Sequence, residues 1–203
     1  YVDFSGNDET GTGSIGNPFR TIQKGIDQAA RHGGGTVNLS AGDWWDYPFE
    51  MSDEVVLRGV GRDATVFHPW WCGLYNDYPV RGNRNVGIED MTIRDFSLVA
   101  WRADNIGIKR VRVENRLLLW SINKGTLEDV EVTRSSNTGL EIWSTMGLNL
   151  NRCHIHDNAG SGINVTPLLT DAVVSNTVIA HNKGDGIRIE PCYPPYDVEM
   201  AVR

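Results

Sequence analysis

Ile88-Glu-Asp-Met91-Thr-Ile93 returns along the chain as Ile108-Lys-Arg-Val111-Arg-Val113, Leu127-Glu-Asp-Val130-Glu-Val132, Leu150-Asn-Arg-Cys153-His-Ile155 and Val174-Ser-Asn-Thr177-Val-Ile179. The starts of these segments differ by 20, 19, 23 and 24 residues. Helical repeats need about 33 or more residues per unit, so so short a step leaves a solenoid of strands or a leucine-rich repeat. The LxxLxLxxN signature of the latter is absent. A second series follows each first one: Leu98-Val-Ala100, Leu117-Leu-Leu119, Leu140-Glu-Ile142, Ile163-Asn-Val165 and Ile187-Arg-Ile189. Each coil therefore offers three short strands with alternating apolar residues, joined by turns rich in Asn, Asp, Gly and Arg. That pattern predicts an all-β, right-handed parallel β-helix with coils of about 20–24 residues. Alternation points Met91, Val111, Val130, Cys153 and Thr177 inward, stacked coil upon coil.

Composition narrows the function classes. The chain has 203 residues, 19 Lys+Arg against 26 Asp+Glu for a net charge of −7, and 40% hydrophobic residues with 7 Trp. That apolar content excludes intrinsic disorder, and no stretch approaches the ~20 apolar residues of a membrane-spanning helix. An acidic chain without a Lys/Arg block lacks the electrostatic footprint of a nucleic-acid binder. Cys72, Cys153 and Cys192 show no CxxC spacing, so neither a disulfide framework nor a zinc ribbon is expected. Cys153 reads as a core thiol.

Residues 1–34 are expected to form an N-terminal segment and capping helix, and residues 35–203 the coils. In PFRTIQKGIDQAARH (18–32), Ile22, Ile26, Ala29 and Ala30 share one helical face, and Gly33-Gly34-Gly35 ends the helix. A solenoid must cover its terminal core, and an amphipathic helix does so. DVEMAVR (197–203) opens a further strand with no polar cap after it, so the coils are expected to continue or to meet a partner subunit. A chain that opens on Tyr1 with no leader pattern is expected to be either a processed form or an excised piece of a longer protein.

The opening YVDFSGNDETGTGSIGNPFRTIQKGIDQAA (1–30), GGGTVNLSAGDW (33–44), VVLRGVGRDATVFHP (55–69) and the coil motifs SNTGLEI (136–142), NAGSGINV (158–165) and NKGDGIRI (182–189) resemble the pectin-lyase-like superfamily of parallel β-helix proteins. Its members include polygalacturonases, pectate and alginate lyases, mannuronan epimerases, phage tailspikes and non-catalytic surface proteins. The resemblance implies an extracellular or virion-surface setting and a polysaccharide partner, and the fold alone carries no further. Polygalacturonases place catalytic groups just before the Gly-Ile of successive coils. The matching positions here are Thr138, Ser161 and Asp185, so only one of three groups survives. The YGxDPH pattern of the epimerases is absent as well.

Register then locates candidate chemistry. With Leu140, Ile142, Ile163, Val165, Ile187 and Ile189 facing inward, Glu141, Asn164 and Arg188 face out, and Trp101, Trp120, Trp143, Thr166 and Glu190 form the next outward column. A strip of indoles suits the C–H face of a pyranose ring. With Val99 and Leu118 beside it, the strip equally suits an oligomer contact, for instance in a trimer. Trp44, Trp45, Trp70, Trp71, Tyr75 and Tyr78 could extend it, though their register is irregular. Glu141 stands two coils before Asp185 and Glu190, about 9.6 Å away, close to the spacing of an inverting glycosidase pair. A lyase would instead need a base for the C5 proton and a cation for the uronate carboxylate. Lys183, Arg188, His156 and His181 are then the candidates. No cofactor is indicated unless calcium binds, for which Glu141, Asp157, Asp185 and Glu190 offer oxygens without a recognisable ligand loop. The columns Glu89, Lys109, Glu128, Asn151, Ser175 and Thr92, Arg112, Glu131, His154, Val178 read as surface charge ladders. His156-Asp157 and His181 read as the turn leading to the tryptophan face.

Overall fold

The computed structural model describes residues 1–46, 49–69, 80–190 and 198–202. They form a parallel β-solenoid with one helix, Ile22–Arg31, at its N-terminal end. The first repeat stacks in register, Ile88 on Ile108, Leu127, Leu150 and Val174 in turn. The second does the same, Leu98 on Leu117, Leu140, Ile163 and Ile187. Apolar residues two apart on a strand point the same way, so the two series line one interior. Ile88, Ile108, Leu127, Leu98, Leu117, Leu140 and Ile163 are all at or below 3% exposure there. Each such side chain contributes about 1.5–3 kcal/mol through burial. Met91, Val111, Val130 and Cys153 are buried as expected, and Thr177 is half-buried. The Cys153 thiol meets the Leu127 and Asn151 carbonyls at 3.5 and 3.7 Å, and burial pushes its pKa up.

The first and second strands of a coil often run on as one, as in Arg84–Arg94 and Asp104–Glu114. The bend between them is a single left-handed residue. Asp90, Arg110, Asp129, Arg152 and Asn176 occupy this corner with φ between 51° and 56°. Left-handed backbone costs a non-glycine residue about 1–2 kcal/mol, and pairing along the corner offsets it. Arg110 donates to both oxygens of Asp90 at 2.6 and 2.9 Å, and Arg152 to both oxygens of Asp129 at 2.9 and 3.0 Å. These bonds hold the Asp90 and Asp129 carboxyls below the usual range.

The ladders differ from expectation in detail. Arg112 pairs with Glu131 along its column at 2.8 Å. Glu89 pairs with Arg58, its register partner on the preceding coil, at 2.9 Å and with the corner residue Arg110 at 3.5 Å, rather than with Lys109 on the following coil. Thr92 is buried, donating its hydroxyl to the Arg62 carbonyl at 2.7 Å. Between the second and third strands, an amide ladder runs inside the turn. Asn158 is 1% exposed, and its Nδ2 donates to Asn182 Oδ1 at 2.9 Å while its Oδ1 accepts from the Ser135 amide at 2.9 Å.

The helix is N-capped by Thr21, whose Oγ1 accepts from the Lys24 amide at 3.3 Å and donates to Asp8 at 2.7 Å. Ile22 and Ile26 are buried, and Ala29 and Ala30 pack partly against the core. Gly25 lets the helix lie close, since a Cβ there would stand 2.6 Å from Val2 and 2.8 Å from Val37. No described helix is long and apolar enough to cross a membrane.

Candidate functional site

The third strand of each coil builds the site. Trp101 pairs with Trp120, Trp120 with Trp143, and Trp143 with Thr166. The period-two register that buries Leu117 and Leu119 turns these indoles outward. Ring centroids are 5.7 Å apart for Trp101–Trp120 and 6.0 Å for Trp120–Trp143, with the planes inclined by 37° and 49°. Trp120 and Trp143 are 37% and 40% exposed. Trp101 is half-buried, with the Arg81 and Arg102 guanidinium carbons each 4.9 Å from its ring centre. Thr166 closes the column, buried, with its hydroxyl donating to the Ile142 carbonyl at 3.2 Å.

Beside the indoles, Leu118, Glu141, Asn164 and Arg188 lie in one register. Glu141 is on the outward side as expected but is not freely exposed. It is 9% exposed, and Arg116 Nη1 stands 3.5 Å from its Oε1. The reason is local: Arg116 lies against its carboxylate, which register does not report. Arg116 sits in the turn ahead of Leu117, outside every periodic position, so pattern reading passed over it. Glu190 reaches the same face from the next coil. Its Oε1 accepts from Asn164 Nδ2 at 3.2 Å and lies 3.6 Å from Arg188 Nε. Asn164 Oδ1 is buried without a hydrogen-bond partner. Asp185 and Lys183 are exposed in the turn before Ile187, and the Asp185 carbonyl accepts from the Gly162 amide. Thr138 and Ser161, which precede Asp185 in that position of the coils, are buried.

The histidines lie elsewhere. His156 ends the strand His154–His156 on the second face, not in the turn toward the tryptophans. Its Nδ1 lies 2.7 Å from Asp157 and its Nε2 3.3 Å from Glu131. His154 pairs in register with Glu131 but stacks its ring on His156 at 3.9 Å instead of bonding the carboxylate. Burial, with the nearby His156 charge, holds the His154 imidazole below its ordinary pKa. Burial pushes the Glu131 carboxyl up, but its bonds to Arg112 and His156 outweigh that and keep it low. His181 is exposed at the following left-handed corner, φ 53°.

Trp44 and Trp45 do not extend the strip. Trp44 is 2% exposed and stacked on Phe4 at 4.1 Å. Trp45 belongs to the second face, stacked at 4.1 Å on His68, whose two nitrogens meet Asp95 at 2.9 Å and Asp43 at 3.0 Å. Nothing periodic marks His68 or its two carboxylates, and no sequence pattern would have found them. Trp70, Trp71, Tyr75, Tyr78, Cys72 and Cys192 lie outside the described residues. Glu141, Asp157, Asp185 and Glu190 do not converge on a calcium site, and among the described residues no group of three or more His, Cys, Asp or Glu is arranged to hold a metal ion. Two concavities of about 260 and 270 Å³ lie away from the tryptophans, one beside Gln28 and His32 and one beside Asn105 and Lys109.

A family model described as a right handed beta helix region matches residues 79–195, more than half of the chain. Among solved structures, the A-module of mannuronan C-5 epimerase AlgE6 from Azotobacter vinelandii is 21% identical, with 83% of this chain and 67% of that chain covered and a TM-score of 0.52. The A-module of mannuronan C-5 epimerase AlgE4 from the same organism is 15% identical, covering 90% and 92%, with a TM-score of 0.36. No curated protein matches the chain.

Proposed function

Because this chain belongs to the family of right-handed β-helix regions, its flat strand faces are where function is to be sought, and we propose that the third face binds a polysaccharide and acts on it. The observation that carries this reading is the column Trp101, Trp120 and Trp143, with centroids 5.7 and 6.0 Å apart, standing beside Glu141 and Glu190. Indoles offer an apolar face to a pyranose and keep the N–H for a hydroxyl. The buried, unpartnered Asn164 Oδ1 adds an acceptor for a hydroxyl at the centre of the same face. A polysaccharide partner also accords with the fold shared with the AlgE6 module, a mannuronan C-5 epimerase. The reading carries an extracellular or virion-surface setting with it.

For the reaction, Glu141 and Glu190 are the favoured pair, because Asn164 and Arg188 tie Glu190 to Glu141's column, with Asp185 at the far edge. Two rungs across and two residues along the strand separate their Cα atoms by about 12 Å, so the two side chains must lean toward each other to pair. Carboxyl groups ~6.5–9.5 Å apart leave room for a water in inverting hydrolysis, with one acting as acid and the other as base. In elimination, Glu141 would take the C5 proton as the C4–O4 bond breaks and a C4=C5 double bond forms, the leaving O4 taking its proton from water, while Arg116 and Arg188 would neutralise the uronate carboxylate. Lys183 lies in the turn that leads into the same face; His156 ends a strand of the second face and His181 holds the corner that follows it on the next coil.

The test is a panel of acidic and neutral polysaccharides, following reducing ends for hydrolysis and ultraviolet absorbance for unsaturated uronate. Glu141→Gln should abolish whichever signal appears and leave the melting temperature within about 2 °C. An unchanged rate removes Glu141 from the chemistry. The exposure of Trp120 and Trp143 also favours a second reading, a non-catalytic surface domain that oligomerises through this face. Trp120→Ala would then lower the sedimentation coefficient.

A further inference from the structure

The outward column of the third face extends beyond its indoles. Arg81 pairs in register with Trp101, Trp101 with Trp120, Trp120 with Trp143 and Trp143 with Thr166. Glu190 follows Ile189, the register partner of Val165, and so takes the next place. Successive rungs therefore carry Arg, Trp, Trp, Trp, Thr and Glu, and at about 4.8 Å per rung the two ends stand about 24 Å apart.

Read from either end, this column complements itself. Arg81 and Arg102 are exposed, each 4.9 Å from the centre of the Trp101 ring, and among the described residues neither is paired with a carboxylate. Glu190 closes the opposite end with its side chain 42% exposed, and its cation neighbour Arg188 lies 3.6 Å away on the adjoining column, on the side away from the corner that Arg102 holds. Trp120 and Trp143, the most exposed indoles of the column, occupy its middle. A two-fold axis running along the strands between them would lay Arg81 on the partner's Glu190, Trp101 on the partner's Thr166 and Trp120 on the partner's Trp143. A parallel bundle, such as a trimer about the solenoid axis, would instead set Arg81 and Arg102 beside the same guanidinium groups of its neighbours, and like charges placed together count against that arrangement.

Deepening the oligomerising reading of this face given above, we propose that two copies of this chain pair through it, antiparallel and related by a two-fold axis. Such a contact is isologous, each half supplying the same patch. A strip about 24 Å long is small beside the ~800 Å² per partner of a standard interface, so the pairing is reversible and concentration-dependent. A glycan would compete with the second copy for the same indoles.

The test is sedimentation of the intact chain from about 5 to 500 µM, at low salt and at about 0.5 M salt, where charge pairs are screened. The mass should rise with concentration toward two copies of the 22.6 kDa chain, and less readily at high salt. Arg81→Glu and Glu190→Arg should each raise the dimer Kd about tenfold, because each sets like charges against each other at both ends of the contact. Combining the two in one chain restores opposite charges across the axis and should bring Kd back to within about threefold of the original. That rescue also excludes a folding defect in the single variants. A three-copy mass, or association that Trp120→Ala weakens but neither charge reversal changes, overturns the antiparallel pairing and leaves the oligomerising reading in place. A monomer at every concentration overturns both, while the polysaccharide reading stands or falls on its own panel.

Discussion

Replacing Trp120 with alanine removes the middle of the aromatic column. Its ring touches Trp101 at 5.7 Å and Trp143 at 6.0 Å, both tilted contacts of the kind worth about 0.5–1.5 kcal/mol each. The folded state should therefore lose about 1–3 kcal/mol, which for a chain of this length lowers Tm by about 3–9 °C. The loss is not larger because the side chain is 37% exposed and the core beneath it, Leu117 and Leu119, is untouched. Binding should suffer more in proportion. A tryptophan at the centre of a contact typically carries about 2 kcal/mol or more, so Kd for a soluble glycan should rise about 30-fold. Calorimetric titration and a thermal melt on the same preparation separate the two effects. A melt lowered as expected with Kd changed less than threefold would refute the reasoning, since the ring would then be structural only.

Two further outcomes follow from the framework that presents the face. Asn158→Ala should cost about 1–3 kcal/mol in a denaturant titration, because it leaves the buried Ser135 amide without its acceptor and removes the bonds that Nδ2 donates to Asn182 and the Val132 carbonyl; a loss under 1 kcal/mol would show that water substitutes freely. Glu114, whose carboxylate bonds Arg94 at 2.7 Å and Arg134 at 2.9 Å, is held below its ordinary pKa by the Arg94 bond despite the opposing effect of burial. Its folded pKa is depressed, so its contribution is present above the unfolded value near ~4.3 and is lost as pH falls through the folded value. Glu114→Gln should therefore destabilise the protein at pH 7 by about 1–2 kcal/mol, and the difference should shrink as pH falls below ~4. A gap that stays constant from pH 7 to pH 3 would contradict this.

How much was legible in the sequence follows from what period-two patterns encode. Ile88, Ile108, Leu127, Leu150 and Val174 had to stack because only a coil near 22 residues brings them together, and the same register turned Trp101, Trp120 and Trp143 to one side. Register reports the side, not what stands over it. Glu141 was therefore placed on the correct face and yet is nearly covered, with Arg116 contributed by an aperiodic turn. Corners were invisible for another reason. Left-handed residues are usually Gly, Asn or Asp, but here Arg110, Arg152, Ser121 and His181 hold such corners as well, and for Arg110 and Arg152 the pairing with Asp90 and Asp129 along the solenoid axis supplies what local propensity lacks. His156 was misplaced because a His-Asp pair looks like a turn, whereas bonds to Glu131 and Asp157 anchor it at the end of a strand.

The most direct measurement is a titration of the ¹⁵N-labelled protein with the soluble glycan that binds best, following indole Nε1–H resonances assigned by single Trp→Phe substitutions. The account predicts shifts for Trp120 and Trp143 and a smaller one for Trp101, with Trp45, stacked on His68 across the molecule's second face, left still. Movement of the Trp45 signal alone, or of none of the indoles while the glycan binds, would contradict it.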